Sequence, residues 1–356
     1  MPRPSACIKV PKNQGEKTIA LATKLGLADK ALVIQRNEES LWIPLVREPA
    51  GIELATLRSQ IPQFTLQTAV FSEKQLPTET LTQALQNKLP ADLLAKVPQA
   101  FDIIGDIVVI DIPPQIKAYQ TVIGEALLQT QKNVKTVLSK AGDISGVFRV
   151  RDYDFVTGEH KTQTVHREFG CEYHVDIAKA YFSPRLSHEH ERVASLVREG
   201  EVVVDLFAGV GPFSVLIGKR SPHAKVYAVD LNPDAVELLK VNVRVNRVEN
   251  RVFPILADAR EIAAAKLKGT ADRVIMNLPE TAIDFVDAAC NVVKPEGGVV
   301  HFYGFVRSPD TKENLEQRFS SGVEKNGRKV ESFLTSKSIR ETAPFESQIA
   351  LDAKIL

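Results

Sequence analysis

Cysteine is scarce in this chain, three in 356 residues (Cys7, Cys171 and Cys290), and no two of them form a C-x-x-C pair. That spacing excludes a disulfide framework and the usual zinc patterns, and leaves buried thiols in a reducing compartment as the expectation. Long hydrophobic runs are also lacking. No stretch reaches the roughly 18 apolar residues that a membrane helix needs. The opening segment, MPRPSACIKVPKNQGEK, has no apolar core of signal-peptide length. The expectation is therefore a cytoplasmic protein without a membrane partner. Neither sign of charge prevails: 45 Lys and Arg face 44 Asp and Glu, for a net charge of +1. A global electrostatic pull toward nucleic acid is excluded, and any RNA role must rest on local patches. The absence of a 20–50-residue repeat and of low-complexity tracts excludes a solenoid.

What is present is an ordinary globular composition, 44% hydrophobic and 25% charged, in a chain too long for one ordinary core. Residues 1–72 carry short mixed signals: ACIKV and ALVIQ read as strands, and EKTIALATKLGL as a helix with a glycine stop. Residues 73–100 are rich in Pro, Gln and Thr and read as a linker. From 101 to 178 a second, α+β domain is predicted. It has a hairpin in FDIIGDIVVIDIP, helical spacing through TVIGEALLQTQKNVKTVLSKA, and alternating runs in GVFRVRDYDFVTG and TQTVHREFGCEYHVDIAKAYF.

Residues 179–356 change character again. VVVDLF, KVYAVDL, RVFPILA, DRVIMNL and GGVVHFYGF are short apolar strands separated by helical stretches, the pattern of a parallel sheet covered on both faces. VESFLTSKSIR and SQIALDAKIL add two strands, predicted to pair as a hairpin that inserts an antiparallel strand. The fold class is α/β: a seven-stranded Rossmann-like domain of the class I methyltransferase type, preceded by two smaller domains.

Ligands in such sheets bind beyond the carboxyl ends of the strands. The first strand ends in Asp205-Leu-Phe-Ala-Gly209-Val-Gly211-Pro-Phe213, and two glycines let the backbone pass close to a ligand. A dinucleotide loop would carry a third glycine where Ser214 stands, and a P-loop would continue with G-K-[ST]; neither is present. Carboxylates at successive strand ends suit a cationic nucleoside instead. Asp230 can accept from ribose hydroxyls, Asp258 from an adenine amino group, and Asp205 lies toward the amino-acid end. The ligand that fits is S-adenosylmethionine. Phe207, Leu231 and Ala259 flank these positions and are counted with the cofactor site. The fourth strand ends in Asn277-Leu-Pro279-Glu280, whose amide can hold both cofactor and a base edge while proline fixes the turn.

Together with YFSPRLSHEHERV and VFRVRDYDFVTGE, these motifs make the chain resemble the archaeal and eukaryotic tRNA (guanine-37-N1)-methyltransferases over nearly its whole length, loosely in the first 70 residues. The resemblance implies an N-terminal tRNA-recognition domain and methyl transfer to guanosine 37. The tRNA would be met at the anticodon stem-loop and the outer corner by a monomer. Guanine N1 must lose its proton to become a nucleophile, and charge then builds on O6, so a carboxylate base and a fixed cation answer both needs. By resemblance the base is Glu189 and the cation Arg149. Alternation places Arg149 and Arg151 on one strand face, and spacing alone does not separate them. Tyr181 would pack on the base or cofactor, and Arg151, Arg185 and Pro279 would line the substrate side. His188 and His190 are read as solvent-facing.

Basic residues are expected in two groups, Lys132, Lys135 and Lys140 on one helix, and Arg307, Arg328, Lys329, Lys337 and Arg340 near the end. Two alternatives stay open. One is methylation or aminocarboxypropyl transfer on a wyosine precursor at the same nucleotide. The other is a non-catalytic RNA-binding protein.

Overall fold

A computed structural model describes residues 2–37, 39–73, 80–142, 146 and 148–356, and the chain divides into two units, Met1–Thr80 and Leu81–Leu356. In the first unit, β1 (Arg3–Pro11) pairs antiparallel with both β3 (Ser40–Pro44) and β4 (Thr65–Phe71), and β2 (Gln35–Arg36) extends the sheet. α1 (Gly15–Lys24) and α2 (Ile52–Gln60) complete it. Ile8, Val10 and Ile43 from the sheet meet Leu21, Ala22 and Leu57 from the helices, giving this unit a core of its own. The ALVIQ strand is reduced to a single bridge at Leu32 before the two-residue β2.

The second unit begins where a linker was expected. Residues 74–79 lie outside the described residues. From Leu81 the chain forms α3 (Leu81–Leu85) and α4 (Ala91–Leu94), and Leu81, Leu85, Leu89 and Val97 are buried. They pack with Val108, Ile110 and Leu127, so 81–97 is core and not connector. Pro90 sits at the N-cap of α4, where a missing N–H costs nothing, so it starts a helix as readily as it ends one.

The middle sheet runs β5 (Phe101–Ile104), β6 (Ile107–Ile110), β7 (Thr136–Lys140) and β8 (Tyr153–Gly158), in that order. β5 and β6 form the expected hairpin, and α5 (Gln120–Thr130) crosses over to bring β7 parallel to β6. The helical reading of 121–141 thus holds only to Thr130. Thr136 and Val137 are β-branched and fully buried between two strands, and tertiary pairing overrides the helical period there. Lys132, Lys135 and Lys140 consequently share no helix face. The alternation in GVFRVRDYDFVTG also stops short, because regular strand begins only at Tyr153.

β9 (Gln163–Glu168) and β10 (Cys171–Asp176) make a hairpin that the sequence reading placed in the middle domain. Tyr173 and Val175 are buried in the same cluster as Phe213, Leu216 and Leu239 of the last domain. The hairpin is therefore part of the methyltransferase core.

That core is the seven-stranded sheet: β11 (Val202–Asp205), β12 (Lys225–Asp230), β13 (Val252–Leu256), β14 (Arg273–Met276), β15 (Gly298–Arg307), β16 (Val330–Ala343) and β17 (Glu346–Ile355), ordered β13-β12-β11-β14-β15-β17-β16. The first five are parallel, and β17 enters antiparallel between β15 and β16, as the apolar runs predicted. Around the sheet lie α6 (Ser187–Leu196), α7 (Pro212–Arg220), α8 (Pro233–Val245), α9 (Ala259–Ala265), α10 (Val286–Val292) and α11 (Lys312–Lys325). α11 was not anticipated. Thr311 caps it, accepting from the Asn314 amide, and Leu315, Phe319 and Val323 are buried at helical spacing. Cys7, Cys171 and Cys290 are buried free thiols.

Candidate active site

β11 and β14 lie side by side where the strand order reverses, and the loops after β11, β12, β13 and β14 converge there. They border a cavity of about 530 Å³ whose lining includes Phe207, Gly209, Asp230, Leu231, Asp258, Ala259, Asn277 and Pro279. Tyr181, Arg185, Arg149 and Arg151 close the other side. Most of the anticipated residues are therefore brought together.

Three are not, and each has a physical reason. Gly211 does not line the cavity. Its φ is +90°, and a Cβ there would lie 2.2 Å from Leu239, so glycine serves the packing of the loop on α8. Gly209, with φ +54°, faces the cavity side, where a Cβ would meet nothing nearer than the Tyr181 carbonyl at 3.7 Å. Asp205 lies beneath the loop, where Ser214 Oγ donates to Oδ2 at 2.8 Å and Oδ1 is buried without a partner. Burial pushes its carboxyl up to about 7.

The other acids have duties of their own. Asp230 accepts from the Gly209 amide at 2.6 Å and the Asn232 amide at 2.9 Å, tying the glycine loop to β12. Burial raises its pKa nonetheless. Asp258 caps α9, accepting from the Arg260 and Glu261 amides. A carboxylate has about four acceptor positions, so each keeps capacity toward the cavity. The Phe207 and Phe285 rings meet edge to face at 5.1 Å, with the Arg260 guanidinium 4.3 Å from the Phe285 ring, making an apolar wall backed by charge. Two carboxylates beside an aromatic wall fit a cationic nucleoside. Asn277 Oδ1, buried without a partner, offers an unused acceptor.

Arg149 and Arg151 do not share a strand face. Arg149 sits in a turn at φ +55°, with its side chain 16% exposed. Its Nη1 and Nη2 both donate to Glu280, the latter at 3.0 Å, which joins the turn to the Asn277–Glu280 segment. Arg151 Nη1 donates to the Gly142 carbonyl at 2.9 Å. Arg185 pairs with Asp102, and Tyr181 is 39% exposed at the rim.

Glu189 is the third residue outside the lining, and the sheet register shows where it lies. Tyr303, Ala350 and Lys337 share one row across β15, β17 and β16; Phe305, Gln348 and Arg340 share the next. The second row lines the cavity. Glu189, on the first turn of α6, meets the first row: Tyr303 Oη donates to Oε2 at 3.2 Å, and Lys337 Nζ lies 2.7 Å from Oε1. It does not itself line the cavity, although Leu186 and His190 on either side of it do. Arg192 closes the cage, with Nε donating to Oε2 at 2.9 Å. Burial raises the carboxyl pKa, but hydrogen bonds from Arg192 and Lys337 outweigh it, and the net direction is down. Arg192 also donates to Asp352, which accepts from His301 Nδ1 at 2.6 Å. His301 Nε2 in turn accepts from Arg273 at 2.8 Å, and Arg273 pairs with Glu201. A buried chain of charge thus runs from Glu189 across the sheet.

His190 is buried, not solvent-facing: its Nδ1 is 2.7 Å from Glu168, its ring meets Phe213 edge-on, and it borders the cavity. Its exposed neighbour His188 alone matches expectation. The C-terminal cations also differ from a free patch. Arg307 pairs with Glu346, Arg340 with Gln348 and Ser183, Lys337 with Glu189, and Arg328 donates to the Val293 and Lys294 carbonyls. Glu280, Gln348 and the Arg192–Lys337 cage were missed. Glu280 was legible as the fourth residue of Asn-Leu-Pro-Glu, whereas the cage depends on strand register.

Residues 164–331 match the TRM5/TYW2 methyltransferase domain, 81–162 the TYW2 N-terminal domain, and 7–53 the tRNA methyltransferase 5 N-terminal domain. The chain is 38% identical over 348 residues to the tRNA (guanine(37)-N(1))-methyltransferase Trm5b of Pyrococcus abyssi, covering 98% of each. It superposes with TM-score 0.67 on aTrm5 in its complex with tRNALeu, at 33% identity over 98% of this chain and 99% of that one. Against P. horikoshii TYW2 in complex with MeSAdo the TM-score is 0.66, at 29% identity over 78% of this chain and 98% of that one. Similarity of this extent places the chain in the TRM5/TYW2 methyltransferase family, among its Trm5 members.

Proposed function

We propose that this chain transfers a methyl group from S-adenosylmethionine to N1 of guanosine 37 in tRNA, using Arg149, Asn277 and Glu189. The observation that carries the reading is one cavity lined by carboxylates, an aromatic wall, Arg149 and Asn277, whose amide oxygen is buried without a partner. Asp230 and Asp258 hold the nucleoside of the cofactor, Phe207, Leu231 and Ala259 pack against it, and Asp205 balances its charge from beneath the loop. When bound, the cofactor supplies the methyl group on a sulfonium.

The remaining work falls to the chain. Asn277 Oδ1 accepts from the guanine edge, and Pro279 holds that turn against β15, where its carbonyl accepts from the Phe305 amide at 3.3 Å. Arg149 uses one N–H on each terminal nitrogen for Glu280, which leaves three of its five donors for the charge developing on O6. Glu189 takes the N1 proton, and to do so it leaves Lys337. Tyr181, Arg151 and Arg185 receive the base and its flanking backbone. The first unit, whose residues 7–53 match the tRNA methyltransferase 5 N-terminal domain, meets the outer corner of the tRNA. The chain acts as a monomer in the cytoplasm.

The direct test incubates the protein with unmodified tRNA transcript and labelled cofactor and identifies the product nucleoside. N1-methylguanosine at position 37 is expected. Glu189→Gln and Arg149→Ala are each expected to slow single-turnover transfer by about 10²–10⁴-fold with cofactor affinity retained. Near-wild-type rates for both variants would overturn the assigned roles. The match of residues 81–162 to the TYW2 N-terminal domain favours one second reading, transfer to a wyosine precursor at the same nucleotide. A product seen only with the tricyclic base would select it.

A further inference from the structure

We infer that Phe345 is a stacking platform for an unpaired base of the RNA next to the one that enters the cavity; this rests on the proposed function. Ala343 and Glu346 pair across the β16–β17 hairpin, so its loop is two residues, Pro344 and Phe345. Proline holds φ near −65°, which rules out the primed turns that suit hairpins and leaves a turn whose second loop residue here takes the left-handed conformation. Phe345 has φ +64°. A turn of that kind wants glycine at this position, and a bulky side chain there is strained. The ring also gains nothing from packing, since Phe345 is 83% exposed. On both counts the fold would be better served by glycine.

Its position shows what the ring is for. Glu341, Thr342 and Glu346, its neighbours along the hairpin, line the cavity, and the Phe345 carbonyl accepts from the Ser308 amide at 2.9 Å, pinning the tip to the end of β15. Two more exposed aromatics line the cavity, Phe148 at 45% and Tyr181 at 39%. The occupant is a base, because an exposed, uncharged aromatic face matches the π-face of a nucleobase, and any base extracted from an anticodon loop leaves unpaired neighbours that need one.

The test compares wild type with Phe345→Gly and Phe345→Trp on tRNA transcript. Phe345→Gly is expected to melt at or above the wild-type temperature and to bind S-adenosylmethionine unchanged. Its KM for tRNA is expected to rise roughly tenfold, the cost of one lost stack. Phe345→Trp is expected to stay near wild type. With an abasic nucleotide at position 36 or 38, one of the two sites should erase the difference between wild type and Phe345→Gly. Wild-type KM for Phe345→Gly, or a defect that survives both abasic substitutions, overturns the stacking contact. A wild-type chain that leaves guanosine 37 unmethylated overturns the function itself.

Discussion

Glu189 is held by opposing effects. Desolvation disfavours its charge, while Arg192 on its own helix, Lys337 on β16 and the Tyr303 hydroxyl on β15 favour it, and Asp352 stands behind Arg192. Removing one cation shifts that balance in a known direction. Lys337→Met should raise the Glu189 pKa, so the acid limb of the single-turnover pH–rate profile should move to higher pH. Glu189→Gln should abolish that limb. An acid limb that stays in place in Lys337→Met would assign the proton transfer elsewhere. The same scale shows what residue spacing cannot reveal. Arg149 and Arg151 look equivalent by alternation, yet one sits in a left-handed turn against Glu280 and the other on the Gly142 carbonyl. His190 reads as an exposed residue on a polar helix start, but Glu168, distant in sequence, draws it inside.

Among the elements, α8 does what a strand would do for β10. Asn242 Oδ1 accepts from the His174 amide at 2.7 Å and its Nδ2 donates to the His174 carbonyl at 3.1 Å; Asn246 repeats this with Glu172. Asn242 also donates to the Val210 carbonyl, inside the glycine loop, at 2.9 Å. Asn242→Ala strands three backbone groups, the buried Val210 carbonyl and the part-buried His174 amide and carbonyl. It should cost about 2–4 kcal/mol in denaturant unfolding and weaken S-adenosylmethionine binding in calorimetry. Unaltered cofactor affinity would mean that the loop holds its shape without this tie. The seven strands were legible because buried parallel strands are short apolar runs between helices, and β17 followed from a hairpin pattern. β7 was not, because its β-branched core lies at the end of a helical period. Neither was the cage around Glu189. Its rows depend on the pairing of β15 with β17, which α11 and β16 separate in sequence, and no local pattern carries that register.

At the scale of the whole molecule, each unit has its own hydrophobic core. A chain starting at Leu81 should therefore melt cooperatively and bind S-adenosylmethionine with unchanged affinity. Its KM for tRNA should rise tenfold or more, roughly the loss expected from two or three phosphate contacts. Aggregation, or loss of cofactor binding, would show that the second unit does not stand alone.

The insertion of β17 between β15 and β16 has a consequence for how the protein is made. Through most of its emergence from the ribosome the sheet ends at β15, and β16 appears with no strand to join. Only when residues 346–355 are synthesised does the gap fill, setting Gln348 into the cavity floor and Asp352 against Arg192. A nascent or prematurely terminated chain can thus carry a nearly complete cofactor pocket while lacking the floor on which a guanine would rest. A chain ending before residue 346 is therefore expected to keep cofactor affinity and lose methyl transfer, which calorimetry beside a single-turnover assay would read.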